Sequence, residues 1–461
     1  MSIDDRVVRI ARCLNEANSR ALIVGGWVRD RLLGIESKDV DVEVFGIELD
    51  ALKDVLAKHG EIIEIGRAFG VLKVKGLDVD FSLPRTDSKT GPGHRGFDVE
   101  TDPSLDFETA ARRRDLTINS IGFDPLTDEY LDPHNGRKDL DAGVLRATDP
   151  AQFDEDPLRG LRVAQFSARF QMRADEQLLA LAAKLDLSEV SPERVFEEFR
   201  KLLLKGQRPS YGFEFLRDSG LLRYFPELEA LIDVPQDARW HPEGDVWVHT
   251  MMVIDEAAGL RDEIDDLALM FGALCHDLGK PDTTEHDAGT IRSHGHDTRG
   301  VRYAESFMSR LRAPKLLTEQ VKMLVHHHLA PTLFVQQNAK PTAYKRLARK
   351  LEPANVSMSL LARVARADHL GRTTLDSKRR LFQAGDVFLE ISRECSIEHF
   401  APKDLVLGRH LLDRGLEPGK RYGWILARCR ELQDEQNWDD ANALVDEVLD
   451  ELGIHDSGGE F

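Results

Sequence analysis

The sequence predicts an α+β protein: a small head, in which a mixed sheet is flanked by helices, followed by a long, all-helical body. Two observations carry this. Strand-like apolar runs punctuated by Gly and Pro are confined to residues 1–149. From Asp154 onward, apolar residues instead recur at three-to-four spacing, the period of an amphipathic helix. In the head, "RALIVGG" (20–26) and "KDVDVEVFG" (38–46) read as strands around a short helix, "WVRDRLLG" (27–34). "GVLKVKGLDVDFSL" (70–83) holds two more strands separated by a Lys-Gly break, and the Gly/Pro-rich "RTDSKTGPGHRGFDVETDPS" (85–104) reads as a mobile loop. The body opens with "DEDPLRGLRVAQFSARF", "DEQLLALAAKLD", "SPERVFEEFRKLLLKG" and "PSYGFEFLRDSGLLRYF", several with Ser or Asp at the start, where a helix N-terminus needs an acceptor.

The chain has 461 residues, 41% hydrophobic and 31% charged, enough for several buried cores. No apolar run approaches the roughly 18 residues that span a bilayer, so no membrane partner is expected. The start, "MSIDDRVVRI", has no secretory pattern, and Cys13, Cys275, Cys395 and Cys429 form no CxxC. A reduced, cytoplasmic setting is expected. The net charge of −19 argues against nonspecific coating of nucleic acid, which needs lysine and arginine on the phosphates. The charge is uneven, however. Residues 431–461 carry eleven Asp or Glu and no Lys or Arg, whereas "ARRRD" (111–115), "AYKRLARK" (343–350) and "SKRR" (377–380) are basic and compatible with a nucleic-acid partner.

The densest chemistry lies in residues 25–46. In a strand, residues two apart share a face, so Asp39 and Asp41 point the same way while Val40 and Val42 face the other. Two carboxylates so placed can bridge one or two Mg²⁺ ions, which remove their repulsion, activate a hydroxyl and stabilise a leaving pyrophosphate. Asp80 of "DVDFSLPR" is the candidate third carboxylate, ahead of Asp78. The Gly25–Gly26 turn permits close backbone approach and opens a helix whose free N–H groups suit phosphate. Arg29 in its first turn is a candidate phosphate donor.

"GGWVRDRLLG…KDVDVEVFG" resembles the signature of the tRNA nucleotidyltransferase/poly(A) polymerase family, within the DNA polymerase beta-like nucleotidyltransferases. The likeness continues in family order through "DFSLPRTD", "RRRDLTINS", "LDPHNGRKDL", "EDPLRGLR" and "SPERVFEEFRKLL". The specific likeness is to the bacterial CCA-adding enzymes that carry a phosphohydrolase domain. The resemblance implies template-independent addition of CCA to the 3′ end of tRNA, from CTP and ATP with Mg²⁺. Asp39, Asp41 and Asp80 would be catalytic, and Gly25, Gly26 and Arg29 nucleotide-binding. Arg114 and Asp115 would contact the phosphate and ribose of the incoming nucleotide, with Asn119 as a cap or brace. "EDPLRGLR" places Asp156, Arg159 and Arg162 at i, i+3 and i+6 of an expected helix. Asp only accepts and Arg only donates. Cytosine and adenine offer an amino donor beside an unprotonated ring nitrogen, whereas uracil and guanine offer the reverse. The pair therefore complements C and A, in agreement with the protein-based template of the family. Arg162 would bind phosphates or brace Asp156. One departure is Gln165, where the family commonly has a third arginine.

A second constellation follows: "HPEGDVWVHTMMVIDEA", "LMFGALCHDLGKPDTTE", "SHGHDTRG", "LVHHHLAP" and "VARADHLGR". This resembles an HD-superfamily metal phosphohydrolase domain, with His249, His276, Asp277 and Asp368 as metal ligands and His294, His296, His327 and His328 as further donors. Imidazoles and carboxylates on facing helices hold divalent metals that lower the pKa of bound water. An imidazole-rich set implies Ni²⁺, Mn²⁺ or Co²⁺, and the resemblance implies action on 2′,3′-cyclic phosphates, 2′-nucleotides or other phosphate esters. The expected division is a nucleotidyltransferase head (1–149), a helical neck with base recognition (150–235), an HD domain (236–375) and a helical, acidic tail (376–461). Two other readings compete. One is a poly(A) polymerase, or an enzyme adding only CC or only A. The other, of a different class, is an HD nucleotide hydrolase whose head only binds RNA.

Overall fold

Asp4 starts the first helix, Asp5–Glu16, by accepting the Arg6 N–H (2.8 Å), and Val7, Ile10, Ala11 and Leu14 are buried on one face of it. The computed structural model describes residues 3–37, 39–65, 70–89, 97–287, 289–436 and 438–454. The chain folds into two compact units, Met1–Ala230 with Phe307–Ala313, and Leu231–Ser306 with Pro314–Phe461.

In the first unit, strands β1 (Arg20–Val24), β2 (Val40–Phe45), β3 (Ile62–Ile65), β4 (Val71–Val74) and β5 (Val79–Ser82) form a mixed sheet with β8 (Gly122–Asp124) and β9 (Glu129–Leu131). The order is β3-β4-β5-β2-β1-β8-β9. Within this sheet, among the described residues, β2 and β5 are the one parallel pair, in a register that sets Asp41 opposite Asp80. Val42 and Val44 are buried, as alternation demands, but so is Glu43 on the acidic face, because Arg113 covers it (2.9 Å). The expected loop at 85–104 differs from the reading above. Residues Arg85–Lys89 (β6) and Phe97–Thr101 (β7) pair as an antiparallel ribbon, and residues 90–96 lie outside the described residues. Turn residues punctuated the stretch, but backbone pairing between its flanks decides its structure.

The neck is built from helices Leu158–Phe170, Pro192–Lys205 and Pro209–Asp218, which pack on one another. Gly212 permits the closeness, since a Cβ there would lie 2.5 Å from the Ala164 carbonyl oxygen. The "EDPLRGLR" helix begins later than expected. Pro157 lacks an N–H and disfavours helical geometry at the residue before it, so Asp156 is extended (φ −120°, ψ 103°) and precedes the helix.

In the second unit, helices Val246–Gly259, Asp266–Cys275, Lys315–His327 and Met358–Leu370 pack together. Asp245 and Ser357 cap two of them by accepting the N–H groups of Val248 (2.8 Å) and Leu360 (3.0 Å). The body is not wholly helical: Thr284–Asp287 pairs with Thr290–Ser293 as a hairpin. Helices Gly408–Leu412, Lys420–Glu435 and Ala441–Glu451 share a core of their own around Leu411, Ile425, Leu432, Leu444 and Val448. This acidic element is held against the basic helix Pro341–Leu351. Arg349 pairs with Asp404 (2.5 Å) and Asp434 (3.0 Å), and Arg346 with Glu435 (3.1 Å). The "AYKRLARK" cluster is thus partly neutralised from within. Among the described residues, no helix is long and apolar enough to cross a membrane.

Candidate active sites

β2 carries Asp41, with Asp39 immediately before its first residue, and β5 carries Asp80. Asp39 and Asp41 are exposed. Partial dehydration raises the Asp41 carboxyl pKa even so, and the charges of Asp80, Asp39 and Glu43 push the same way against Arg114. Carboxylates that repel one another and offer only oxygen suit a hard divalent cation. Asp80 is held meanwhile by Lys73 of β4 (2.7 Å).

Asp41 opens onto a cleft of about 530 Å³ lined by Gly25, Gly26, Asp115, Asp156 and ten arginines and lysines. Three carboxylates against ten cations make this a polyanion site on an acidic chain. Gly25 has φ +73°, a conformation that side-chain-bearing residues rarely adopt, so the backbone here requires glycine, and Arg114 Nη1 lies only 2.9 Å from where a Cβ would stand. Three cations in the cleft, Arg194, Lys201 and Lys205, come from helix Pro192–Lys205. The sequence reading left them out because nothing local ties that helix to the head.

Asp115 is buried, which alone would raise its pKa. Arg162 Nε (2.7 Å), Asn119 Nδ2 (2.9 Å) and the Leu116 N–H (2.9 Å) instead hold it below the usual carboxylate range. Arg162 therefore braces Asp115, not Asp156. The partner of Asp156 is Arg194 (3.3 Å), and its carboxylate also accepts the Leu158 N–H (3.1 Å). Arg159 donates to the carbonyls of Gln152 (2.5 Å) and Arg113 (2.9 Å). Arg29 also differs from expectation. It is 3% exposed and gives Nε and Nη2 to Asp30 and Nη1 to Asn119, so it braces the cleft wall rather than offering its fork to a phosphate. Gln165 is buried and lines the cleft, while Arg169, one turn further on, pairs with Asp30.

In the second unit, His249 Nε2 lies 3.2 Å from Asp368 and 3.8 Å from Asp277, and His276 Nε2 lies 3.1 Å from Asp277. The other oxygen of Asp277 faces His296 Nε2 (3.4 Å), which is 3.3 Å from His328 Nε2. Three donor groups lie here, His249–His276–Asp368, Asp277–His296–His328 and His241–Glu243–His249. Of the further histidines considered, the fold brings in His296 and His328. His294 is exposed, and neither it nor His327 joins a donor group among the described residues.

The Nδ1 atoms of His276, His296 and His328 donate to the carbonyls of Ala273, Ser293 and Val325 (2.7–2.8 Å). This aims each Nε2 at the centre, the usual support of metal-ligating imidazoles. Burial lowers the pKa of His328 to about 3 and also lowers that of His296, so both are neutral donors. Burial likewise opposes charge on His276, but Asp277 outweighs it and raises that pKa. Dehydration would raise Asp277 and Asp368, yet His276 and Lys280, and Arg372 and His249, hold them far below the ordinary range. This donor set fits one or two divalent transition metals. Supporting groups that the sequence reading did not single out are Glu243 on His249 Nδ1 (2.9 Å), Lys280 on Asp277 (2.7 Å) and Arg372 on Asp368 (2.8 Å). A cavity of about 230 Å³ beside them is lined by Trp240, Lys280, His296 and Arg372. Lys280 lies three residues after Asp277, across the turn between helices Asp266–Cys275 and Lys280–Thr283, and its N–H donates to the Asp277 carbonyl (2.9 Å).

Three family models match in chain order: a poly A polymerase head domain over 21–146, a probable RNA and SrmB-binding site of polymerase A over 176–232, and an HD domain over 246–370. The chain belongs to the tRNA nucleotidyltransferase/poly(A) polymerase family. Solved structures with this fold include the Bacillus stearothermophilus CCA-adding enzyme in complex with CTP (20% identity, 97% of each chain covered, TM-score 0.66). Another is the Thermotoga maritima CCA-adding enzyme complexed with tRNA (17% identity, 98% of this chain and 96% of that one, TM-score 0.59). A CCA-adding enzyme with ATP is also similar (17% identity, 99% and 97% covered, TM-score 0.61). The protein is thus a nucleotidyltransferase of this family with an HD domain.

Proposed function

We propose that this nucleotidyltransferase adds CCA to the 3′ end of tRNA in the cytoplasm, using CTP and ATP, and that its HD domain is a metal-dependent phosphohydrolase. The observation that carries the first part is a single cleft joining Asp41, in register with Asp80, to Asp156 and Arg159. In this reading the head (1–149) performs the transfer, the neck (150–235) chooses the base, residues 236–375 hydrolyse phosphate esters and residues 376–461 form the acidic helical tail.

Asp39, Asp41 and Asp80 would hold Mg²⁺, which when bound acidifies the RNA 3′ hydroxyl and neutralises the leaving pyrophosphate. Arg114 and the Gly25–Gly26 backbone bind the triphosphate, and Asp115, held by Arg162 and Asn119, receives the ribose. Asp156 accepts the amino group of C or A, and Arg159 exchanges its two carbonyl partners for the ring acceptor of the base. U or G would leave buried polar groups unpaired, at a cost on the order of 1–3 kcal/mol each. Arg29 acts behind this set as a brace on Asn119.

In the HD domain, His249, His276, Asp277 and Asp368, with His296 and His328, would hold Ni²⁺, Mn²⁺ or Co²⁺, which supplies a hydroxide at neutral pH. Lys280 and Arg372, at the wall of the cavity, bind the phosphate of a 2′,3′-cyclic phosphate or a 2′-nucleotide. The test is to incubate tRNA lacking its 3′ CCA with each nucleoside triphosphate alone and with all four, and to sequence the products. CCA ends support the proposal. Runs of A, or CC or A alone, would assign another member of the family. No addition with Mg²⁺ would leave the head a binding module.

A further inference from the structure

A closed circuit of polar groups, buried at Arg29, Asp30, Asp115 and Asn119 and partly exposed at Arg162 and Arg169, ties the neck helix Leu158–Phe170 to the head. Asp30 Oδ1 accepts Arg29 Nε (2.9 Å) and Nη2 (2.6 Å), and Asp30 Oδ2 accepts Arg169 Nη2 (3.0 Å). Arg29 Nη1 reaches Asn119 (2.5 Å), which donates to Asp115 (2.9 Å), and Asp115 accepts Arg162 (2.7 Å). Arg162 and Arg169 are seven residues apart on one helix face, so the circuit holds that helix at two points, two turns apart. On the same helix Phe166 and Phe170 stack (6.0 Å, 14°), and the Arg29 guanidinium lies 5.2 and 4.6 Å from their ring centres.

Buried ion pairs add little net stability over apolar packing, so one retained reason for such a circuit is to fix a unique register. The register at stake is plain. The helix begins just after Asp156 and carries Arg159 in its first turn, whereas the head carries Asp41 and Asp80. Arg169 lies about 15 Å along the helix from Arg159, so a tilt of about 5° on release of that end would move the base-reading residues by about 1.3 Å. A displacement of about 1 Å in a positioned reaction costs up to roughly a hundredfold in rate.

We propose that Asp30 and Arg169, linked through Arg29 and Asn119, are positioning residues that set base selectivity and turnover without touching the nucleotide. The inference rests on the nucleotide-addition reading above. The test uses the full-length chain with Arg169→Gln and Arg169→Lys. Arg169 is partly exposed, so folding is retained, and Asp30→Asn, which keeps the shape, is the second variant should the first fail to fold. Four quantities are read: kcat for CTP, KM for CTP, the CTP-to-UTP ratio of kcat/KM, and Tm. The expected result for Arg169→Gln is a fall in that ratio and in kcat of roughly tenfold each, with KM within about threefold, and partial recovery in Arg169→Lys. An unchanged ratio, or a loss that Arg169→Lys does not relieve, would overturn the proposal, because a merely stabilising pair lowers Tm without altering base choice. If the parent protein adds no nucleotide, the addition reading fails by itself. The positioning role is then decided by equilibrium binding of CTP and UTP, and an unchanged preference in Arg169→Gln refutes it.

Discussion

Replacing Asp156 by asparagine changes one acceptor oxygen into a donor while keeping volume and shape. In the structure its carboxylate is half-buried, accepts the Leu158 N–H (3.1 Å) and pairs with Arg194 (3.3 Å). Asn can keep its carbonyl on Leu158 and turn its amide NH₂ towards the base, so the helix start is preserved. The variant then meets the O4 of uracil with a donor where the parent meets it with a carboxylate. Removing that mismatch is worth on the order of 1–3 kcal/mol. At about 1.4 kcal/mol per factor of ten, UTP incorporation relative to CTP should rise roughly 5- to 150-fold. Adding Arg159→Ala to Asp156→Ala should relax selection against both UTP and GTP. The assay is single-turnover extension of tRNA ending one nucleotide short, with each triphosphate separately. Strict C and A incorporation by a folded Asp156→Asn protein would refute base reading by this pair.

Three further outcomes are expected. Asp39→Ala or Asp41→Ala should abolish addition with little change in Tm, since both side chains are exposed and Asp41 lines the cleft; retained addition with Mg²⁺ in both would exclude the carboxylate assignment. His276→Ala with Asp277→Ala should eliminate hydrolysis of 2′,3′-cyclic phosphates in protein reloaded with Ni²⁺, Mn²⁺ or Co²⁺, yet leave CCA addition largely intact. Equal loss of both activities in a folded variant would mean the sites are interdependent. Arg349→Gln leaves Asp434, 4% exposed, without its main partner. Breaking a buried pair of this kind costs about 3 kcal/mol, so hydrogen exchange in helix Lys420–Glu435 should speed up while the other helices stay protected; uniform protection would argue against a separately held tail.

What the sequence by itself determined is what short-range spacing encodes. Period-two alternation placed the strands about Asp39–Asp41, and three-to-four spacing placed the body helices. The ordered motifs assigned the family, and the order of His249, His276–Asp277 and Asp368 foretold the HD cluster. Asp80 was named as the third carboxylate, and the parallel register of β2 and β5 puts it beside Asp41. What only the tertiary structure decided is which side chains meet across distant segments. It gave Arg29 to Asn119, Arg162 to Asp115 and Arg169 to Asp30, and it chose His296 and His328 over their neighbours. It also turned the basic helix 341–351 towards the acidic tail. The physical reason is that an arginine or histidine reads the same in sequence whether it faces solvent, a ligand or a buried carboxylate. Its role is set by the group the packed fold brings within about 3 Å, and the price of leaving that group unpaired fixes the choice.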